Sequence, residues 1–247
     1  MQERTTLIIS DRGTLGSART RREMLKLFAM GGAMVLLPSV MTACKDSTSP
    51  ATVLPGTGNT LIIDFAKGDI AVLQFAYLLE QLEADFYTKV VAAYGSSTLS
   101  ATEKGILQDI MYHEVLHREF LKAALGPSNL FTATPTYPGL NFSDRSSVLS
   151  TAKTFEDLGV AAYNGAAQYI VSTDYLTLAG KIVSVEARHA SAIRDLINPK
   201  SGDFAPTTFD NLFKPSTVAA SAQGYIVETL GFANAPTTFV QGPNNNG

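Results

Sequence analysis

The 247 residues are 17% charged and 45% hydrophobic, the balance of an ordinary globular chain with enough length for one sizeable core. Nineteen basic against 22 acidic side chains leave no electrostatic footprint for nucleic acid. The single cysteine, Cys44, excludes an internal disulfide, a CxxC redox pair, a cysteine-rich zinc site and an iron–sulfur cluster held by this chain alone, so metal chemistry must rest on oxygen and imidazole.

The chain opens with a polar stretch, then Arg21-Arg22-Glu23-Met24-Leu25-Lys26, then an apolar run over residues 27–43 broken by Pro38. That order is an export leader. A retained membrane helix is the alternative, although the run is short for a bilayer and Gly31, Gly32 and Pro38 weaken it. The paired arginines resemble the bacterial twin-arginine signal, which implies passage through the twin-arginine export machinery. Met41-Thr42-Ala43-Cys44 resembles a lipobox, which implies a lipid anchor at Cys44 and a periplasmic or cell-surface location; ordinary cleavage after Ala43, giving a soluble exported protein, is the other reading. Removing residues 1–43 takes away 6 basic and 3 acidic residues, so 13 and 19 remain and the net charge becomes −6. Residues 44–63 then read as a flexible tether, rich in Ser, Thr, Pro and Gly up to Asn59.

From Asp69 onward the apolar positions recur in steps of three and four, predicting four helices within residues 64–198. The seams read Leu73, Tyr77, Glu80, Ala84, Tyr87, Val91; then Leu107, Ile110, Glu114, His117, Leu121, Ala124; then Leu149, Ala152, Glu156, Gly159, Tyr163, Ala166, Ile170; then Ala179, Ile182, Glu186, His189, Ile193, Leu196. Residues 95–97, Gly126-Pro127, residues 172–174 and Asn198-Pro199 supply the stops. Short turns within each pair predict two antiparallel hairpins, and residues 126–144, with three prolines and two glycines, suit a crossover running the length of a bundle. The fold expected is therefore all-α, a four-helix bundle. Residues 199–247 are expected to pack over it as an extension, with a helix around residues 218–230 and a frayed end over 243–247. Gly159 and Gly165 read as close-packing positions.

A carboxylate on a buried face costs several kcal/mol unless it is paired or bound to metal, so the four acids in the seams need an explanation. The midpoint of Glu80 and Glu114 is position 97, and that of Glu156 and Glu186 is position 171, so each pair meets across its own hairpin. Each half reads Glu-x6-Tyr, a turn, then Glu-x2-His: Glu80, Tyr87, Glu114, His117 and Glu156, Tyr163, Glu186, His189. Spacing of three places Glu and His on one helix face. Four carboxylates and two divalent ions neutralise one another.

These residues resemble the ferritin-like di-iron carboxylate proteins, in which two helices each give a Glu and two each give Glu-x-x-His. More narrowly, "YLLEQLEADFY", "FEDLGVAAYNGAA" and "VSVEARHASAIRDL" are similar to the bacterial ferritin-like domain family that includes plant desiccation-related proteins and is related to rubrerythrin and bacterioferritin. The resemblance, over about residues 64–197, implies two iron ions, or manganese, with Glu114 and Glu186 bridging, Glu80 and Glu156 terminal, and His117 and His189 each capping one ion. Tyr87 and Tyr163 would hydrogen-bond the ligands. It implies a ferroxidase or peroxidase-type oxidoreductase acting on Fe(II), O2 or peroxide in envelope stress protection, and leaves a homodimer open as the assembly. Glu83 departs from the family pattern: it replaces Glu80, adds a ligand or faces solvent.

Two other readings are weighed beside this one. A metal-free scaffold or interaction protein of the envelope would satisfy the seam acids with Arg118, Arg188, tyrosines and water. His113-Glu114-Val115-Leu116-His117 also spells the HExxH of zinc peptidases, with His113 and His117 as ligands. That reading leaves Glu80, Glu156, Glu186 and His189 without a role, and His113 lies one residue off the seam, where it is expected to matter little. For export, replacing Arg21 and Arg22 together by Lys should trap precursor in the cytoplasm, as read by cell fractionation; unimpaired export overturns the twin-arginine assignment.

Overall fold

The computed structural model describes residues 60–239; the arginine pair, Cys44, the tether up to residue 59 and residues 240–247 lie outside the described residues. Four long helices form the frame, α1 (Asp69–Ala92), α2 (Ala101–Leu125), α3 (Arg145–Ala166) and α4 (Thr173–Ile197). Their starts are chemically marked. Ser100 and Glu103 form a reciprocal capping box, Asp144 accepts from the Ser147 N–H at 2.7 Å, and Ser172 accepts from the Tyr175 N–H at 3.4 Å. α2 ends on Gly126, whose φ of 65° turns the chain out of the helix just ahead of Pro127. α3 stops short of the expected Ile170, passing through a 3-10 turn at Ala167–Tyr169 that tightens the entry to α4.

α1 pairs with α2 and α3 with α4, and the two hairpins dock through α1 against α3 and α2 against α4. The crossover sets their relative direction. Gln74 donates to the Asn129 carbonyl at 2.8 Å, Gln81 accepts from the Ala133 N–H at 3.1 Å, and the Tyr137 hydroxyl reaches the Leu82 carbonyl at 3.0 Å. These bonds advance along α1 in the direction of the chain, so α3 begins beside the end of α1. There the Thr98 N–H meets the Ser143 carbonyl at 2.9 Å. At the other end Asp69 accepts from the N–H groups of Val171 and Ser172 at 2.7 and 2.9 Å, tying the second hairpin's turn to the start of α1. α1 and α3 are therefore antiparallel, and so are α2 and α4.

The apolar seam accounts for most of the burial in α4 but for only part of it in α1, whose seam residues Leu73, Tyr77, Glu80, Ala84 and Tyr87 are buried together with others around the helix. Six of the 25 residues of α4 are buried, whereas 16 of the 24 in α1 are, because the crossover and the C-terminal extension cover the faces that α2 and α3 leave open. The extension contains α5 (Pro215–Ala222), a 3-10 turn at Gln223–Tyr225 and a strand, β2 (Thr229–Ala233). Pro215 presets the first helical turn. The helix expected around residues 218–230 is thus shorter and starts earlier, since its second half leaves to pair with β1 (Thr60–Asp64), parallel, Thr60 opposite Thr229. Residues 60–63 of the segment read as tether are in β1, where Ile63 is buried. Phe232 of β2 packs edge-on against Phe65 and Phe75, with centroids 5.5 and 5.2 Å away. Apart from this two-stranded ribbon and an isolated bridge between Pro135 and Ile226, the regular secondary structure among the described residues is helical, and no helix among them is long and apolar enough to cross a membrane.

The extension lies directly on α3. The Phe213 N–H donates to the Ala161 carbonyl at 3.0 Å, and a Cβ at Gly165 would stand 2.0 Å from the Phe213 carbonyl oxygen. Gly165 is therefore the close-packing position its sequence suggested. Gly165→Ala should destabilise the fold by about 1–3 kcal/mol through overpacking. Gly105→Ala, in α2 with open space around the new methyl, should stabilise it by about 0.5–1 kcal/mol. Thermal unfolding of the two variants checks both signs.

Candidate metal centre

At the waist of the bundle α1 contributes Glu80, α2 contributes Glu114 and His117, α3 contributes Glu156, and α4 contributes Glu186 and His189. The Glu-x-x-His pairs lie on one face of their helices because three residues make nearly one turn. All four carboxylates are fully buried. One apolar layer, including Phe86, Leu107, Leu149, Phe155 and Ile193, closes the bundle on one side, and another, including Phe75, Leu78, Leu79 and Leu158, closes it on the other.

The antiparallel docking turns the two sequence halves into a twofold arrangement. Stepping seven residues forward from Glu80 reaches Tyr87, and stepping seven back from Tyr163 reaches Glu156. Accordingly the Tyr163 hydroxyl donates to Glu80 at 2.6 Å, and the Tyr87 hydroxyl donates to Glu156. Each tyrosine thus serves the glutamate of the other hairpin. Each imidazole makes its nearest approach to the other hairpin and also reaches its own: His117 Nδ1 lies 3.0 Å from Glu186 and 3.4 Å from Glu114, and His189 Nδ1 lies 2.9 Å from Glu114 and 3.3 Å from Glu156. Two groups of four result, Glu80–Glu114–His117–Glu186 and Glu114–Glu156–Glu186–His189, each with potential ligand atoms within 4.8 Å of one another. Glu114 and Glu186 are common to both.

A sequence model of the ferritin-like domain matches residues 68–199, the whole four-helix frame and more than half of the chain. The chain belongs to the ferritin-like domain family. No curated protein sequence matches it significantly.

In this ferritin-like domain the cluster is short of cations. Arg118 is held by Glu119 at 2.8 Å, Arg188 donates to the Ser184 hydroxyl at 2.9 Å, and Arg194 pairs with Asp157 at 2.8 Å. The arginines on which a metal-free balance would depend are thus engaged elsewhere. Eight buried atoms, Glu80 Oε2, both carboxylate oxygens of Glu114 and of Glu186, Glu156 Oε2, and Nδ1 of His117 and His189, have no hydrogen-bond partner. The imidazole nitrogens approach the carboxylates closely, yet not along hydrogen-bonding directions. Oxygen and imidazole donors converging in this way suit a divalent ion such as Fe(II) or Mn(II).

Burial pushes Glu80 up to about 7, and pushes Glu156 and Glu186 above the ordinary carboxylate range. Glu114 goes the other way, because the imidazoles of His117 and His189 outweigh the cost of its burial. Burial alone would lower both histidines, but the surrounding carboxylates raise them, His189 to about 11.

Glu83 does not face solvent. It is buried, outside both groups of four, and one of its oxygens, like one of Glu186, would lie 3.2 Å from a Cβ at Gly159. Gly159 is therefore a close-packing position, as its sequence suggested, with carboxylates rather than backbone packed against it, and a fifth buried carboxyl occupies that space. Burial and the charges of Glu186 and Glu114 hold Glu83 well above its usual range. His113, expected to matter little, stands with Nδ1 2.8 Å from Nε2 of His189, the two rings 12° from parallel. It belongs to neither group of four. Only the register of α2 against α4 brings it there, and a seam read on one helix does not show that register.

The protons held by the metal-free cluster carry a pH signature. Glu80 binds its proton more tightly folded than unfolded, so its contribution to stability is complete below about pH 4.5 and lost as pH rises through about 7. Glu156, Glu186 and both histidines act in the same direction, and Glu114 is ionised in both states across that window. A metal must displace these protons. The rise in melting temperature on adding Mn(II) should therefore grow from about pH 5 to about pH 8 as the metal-free protein weakens. An increment independent of pH over that range would count against proton displacement at these carboxylates.

Proposed function

We propose that this exported ferritin-like protein carries a dinuclear metal site, di-iron in its working form, that oxidises Fe(II) or reduces O2 or peroxide and so protects the cell envelope. The observation that carries the reading is the pair of four-residue groups sharing Glu114 and Glu186, with eight buried donor atoms unmatched. Two iron ions held there would supply one-electron oxidation and reduction at a water-excluded centre. The chain's own part is to orient and to insulate. Tyr163 and Tyr87 fix Glu80 and Glu156 by one oxygen each, leaving the other oxygen of each carboxylate for an ion. Glu114 and Glu186 belong to both groups and would help to hold both ions. Glu83, its carboxyl held well above the usual range by burial, lines the same space.

Access for a small oxidant has a physical basis. A cavity of about 30 Å³ for water-sized molecules, lined by Leu73, Phe120, Tyr163, Tyr175 and Ile182, adjoins the tyrosine that holds Glu80. It is almost wholly apolar, which favours an uncharged guest such as O2. On the sequence side, the twin-arginine signal and the Cys44 lipobox support a place in the envelope, and export of a folded protein suits one that acquires its metal first.

Metal analysis tests this reading. Protein reconstituted anaerobically with Fe(II) should hold about two ions per chain and consume Fe(II) when O2 or peroxide is added. Glu114→Ala or Glu186→Ala should remove most of the metal, while Glu80→Ala or Glu156→Ala should remove about one ion. Circular dichroism would show that each variant is folded. A wild-type chain that takes up no metal, and melts identically with and without it, leaves the bare scaffold as the better description.

A further inference from the structure

The twofold arrangement is broken where His113 meets His189. Aligning Glu114–His117 of α2 with Glu186–His189 of α4 places His113 at the position matched by Val185. His189 presents Nδ1 to Glu114 and Glu156, and its other nitrogen, Nε2, lies 2.8 Å from Nδ1 of His113. An imidazole that gives Nδ1 to a metal carries its proton on Nε2 and must donate it somewhere. His113 Nδ1 stands where it would accept that proton, the two rings 5.1 Å apart and nearly parallel, an arrangement that would hold a metal-bound His189 in one tautomer and one orientation. Val185 has no acceptor to offer His117, whose side chain is also more open to solvent, 13% against 6% for His189.

We infer that His113 is a positioning residue that makes the two metal positions unequal: the ion held by Glu114, Glu156, Glu186 and His189 binds first and tightly, and the ion held by Glu80, Glu114, His117 and Glu186 binds second and exchanges. The inference rests on the dinuclear reading above and assigns its two halves different duties. The tight ion is the resident one, and the weaker position is where an incoming Fe(II) arrives and leaves as cargo. Hydrogen-bond partners of metal-bound histidines are worth about 10–100-fold in metal affinity, enough to separate two otherwise matched positions.

Calorimetric titration of the metal-free protein with Co(II) tests it, followed in parallel by the visible spectrum of the bound ion. The wild type should fill in two resolved steps. His113→Val, which copies Val185, should weaken the first step by about 10–100-fold and merge it with the second, at unchanged total uptake. His113→Asn, which restores an acceptor, should recover part of the separation and of the first-step spectrum. Val185→His should tighten the second step. Two steps unaltered by His113→Val overturn the inference while leaving the dinuclear reading intact, as does a wild type that fills both positions in one step. Loss of all metal in His113→Val also overturns it, because His113 is then a ligand, as a zinc peptidase would require. A wild type that binds no Co(II), Fe(II) or Mn(II) overturns both readings together.

Discussion

Five buried glutamates, the buried His189 and the partly buried His117, gathered at the waist of a helical bundle, impose the constraint on which the remaining structure turns. An ionised carboxylate removed from water costs several kcal/mol unless something positive or hydrogen-bonding replaces the solvent. The nearby arginines are committed to Glu119, Ser184 and Asp157. What remains within reach is two imidazoles, two tyrosine hydroxyls and protons. Burial shifts the carboxyls toward holding their protons, with Glu80 moved up to about 7 and Glu83 and Glu186 well above their ordinary range, and unmatched donor atoms persist even so. Such a cluster is poorly settled alone and well suited to divalent cations, and that is the physical content of the family resemblance.

The bundle tolerates the cluster because its outer parts are strongly apolar and tied down. α1 is enclosed nearly all round, and aromatic contacts such as Phe86–Phe155 at 5.1 Å and Phe155–Tyr225 at 4.7 Å join helices to the extension. A fully buried Leu or Phe contributes about 1.5–3 kcal/mol, so the two apolar layers can offset the burden carried between them. The crossover and the extension therefore do more than cover the bundle. The Thr136 N–H meets the Tyr225 carbonyl at 2.8 Å and the Val227 N–H meets Thr134 at 3.0 Å, so these two segments brace each other as well as α1. Water is kept from the acids by the same contacts that stabilise the fold.

Symmetry at the centre and asymmetry around it have separate causes. The repeated Glu-x6-Tyr and Glu-x2-His halves, once docked antiparallel, generate crossed tyrosine–glutamate bonds on both sides. Nothing duplicates the surroundings. Glu83 lies where Gly159 leaves space, and the fully buried Phe86 packs between Tyr87 and Phe155. His113 reaches His189 while its counterpart is a valine. The cluster thus combines a symmetric inner set with an asymmetric surround.

Much of this was legible in the linear chain. The four helices, the pairing of Glu80 with Glu114 and of Glu156 with Glu186, and the single long crossover follow from periodicity, turn residues and midpoints, because these are local or depend on one hairpin at a time. What lay beyond the sequence depends on contacts between hairpins or across long stretches of chain. The burial of α1 on every side, the β1–β2 pairing of Thr60 with Thr229, and the abbreviated α5 arise from segments far apart in the chain. Which glutamate each tyrosine holds follows from the direction in which the crossover returns. Glu83 was ambiguous on its helix because a residue three positions from Glu80 can turn inward only if the facing helix leaves room, and that room is Gly159 on α3. His113 lies off the seam of α2 by one residue, so periodicity assigned it no part. The register of α2 on α4, set by packing of whole helices, brings it within hydrogen-bonding distance of His189.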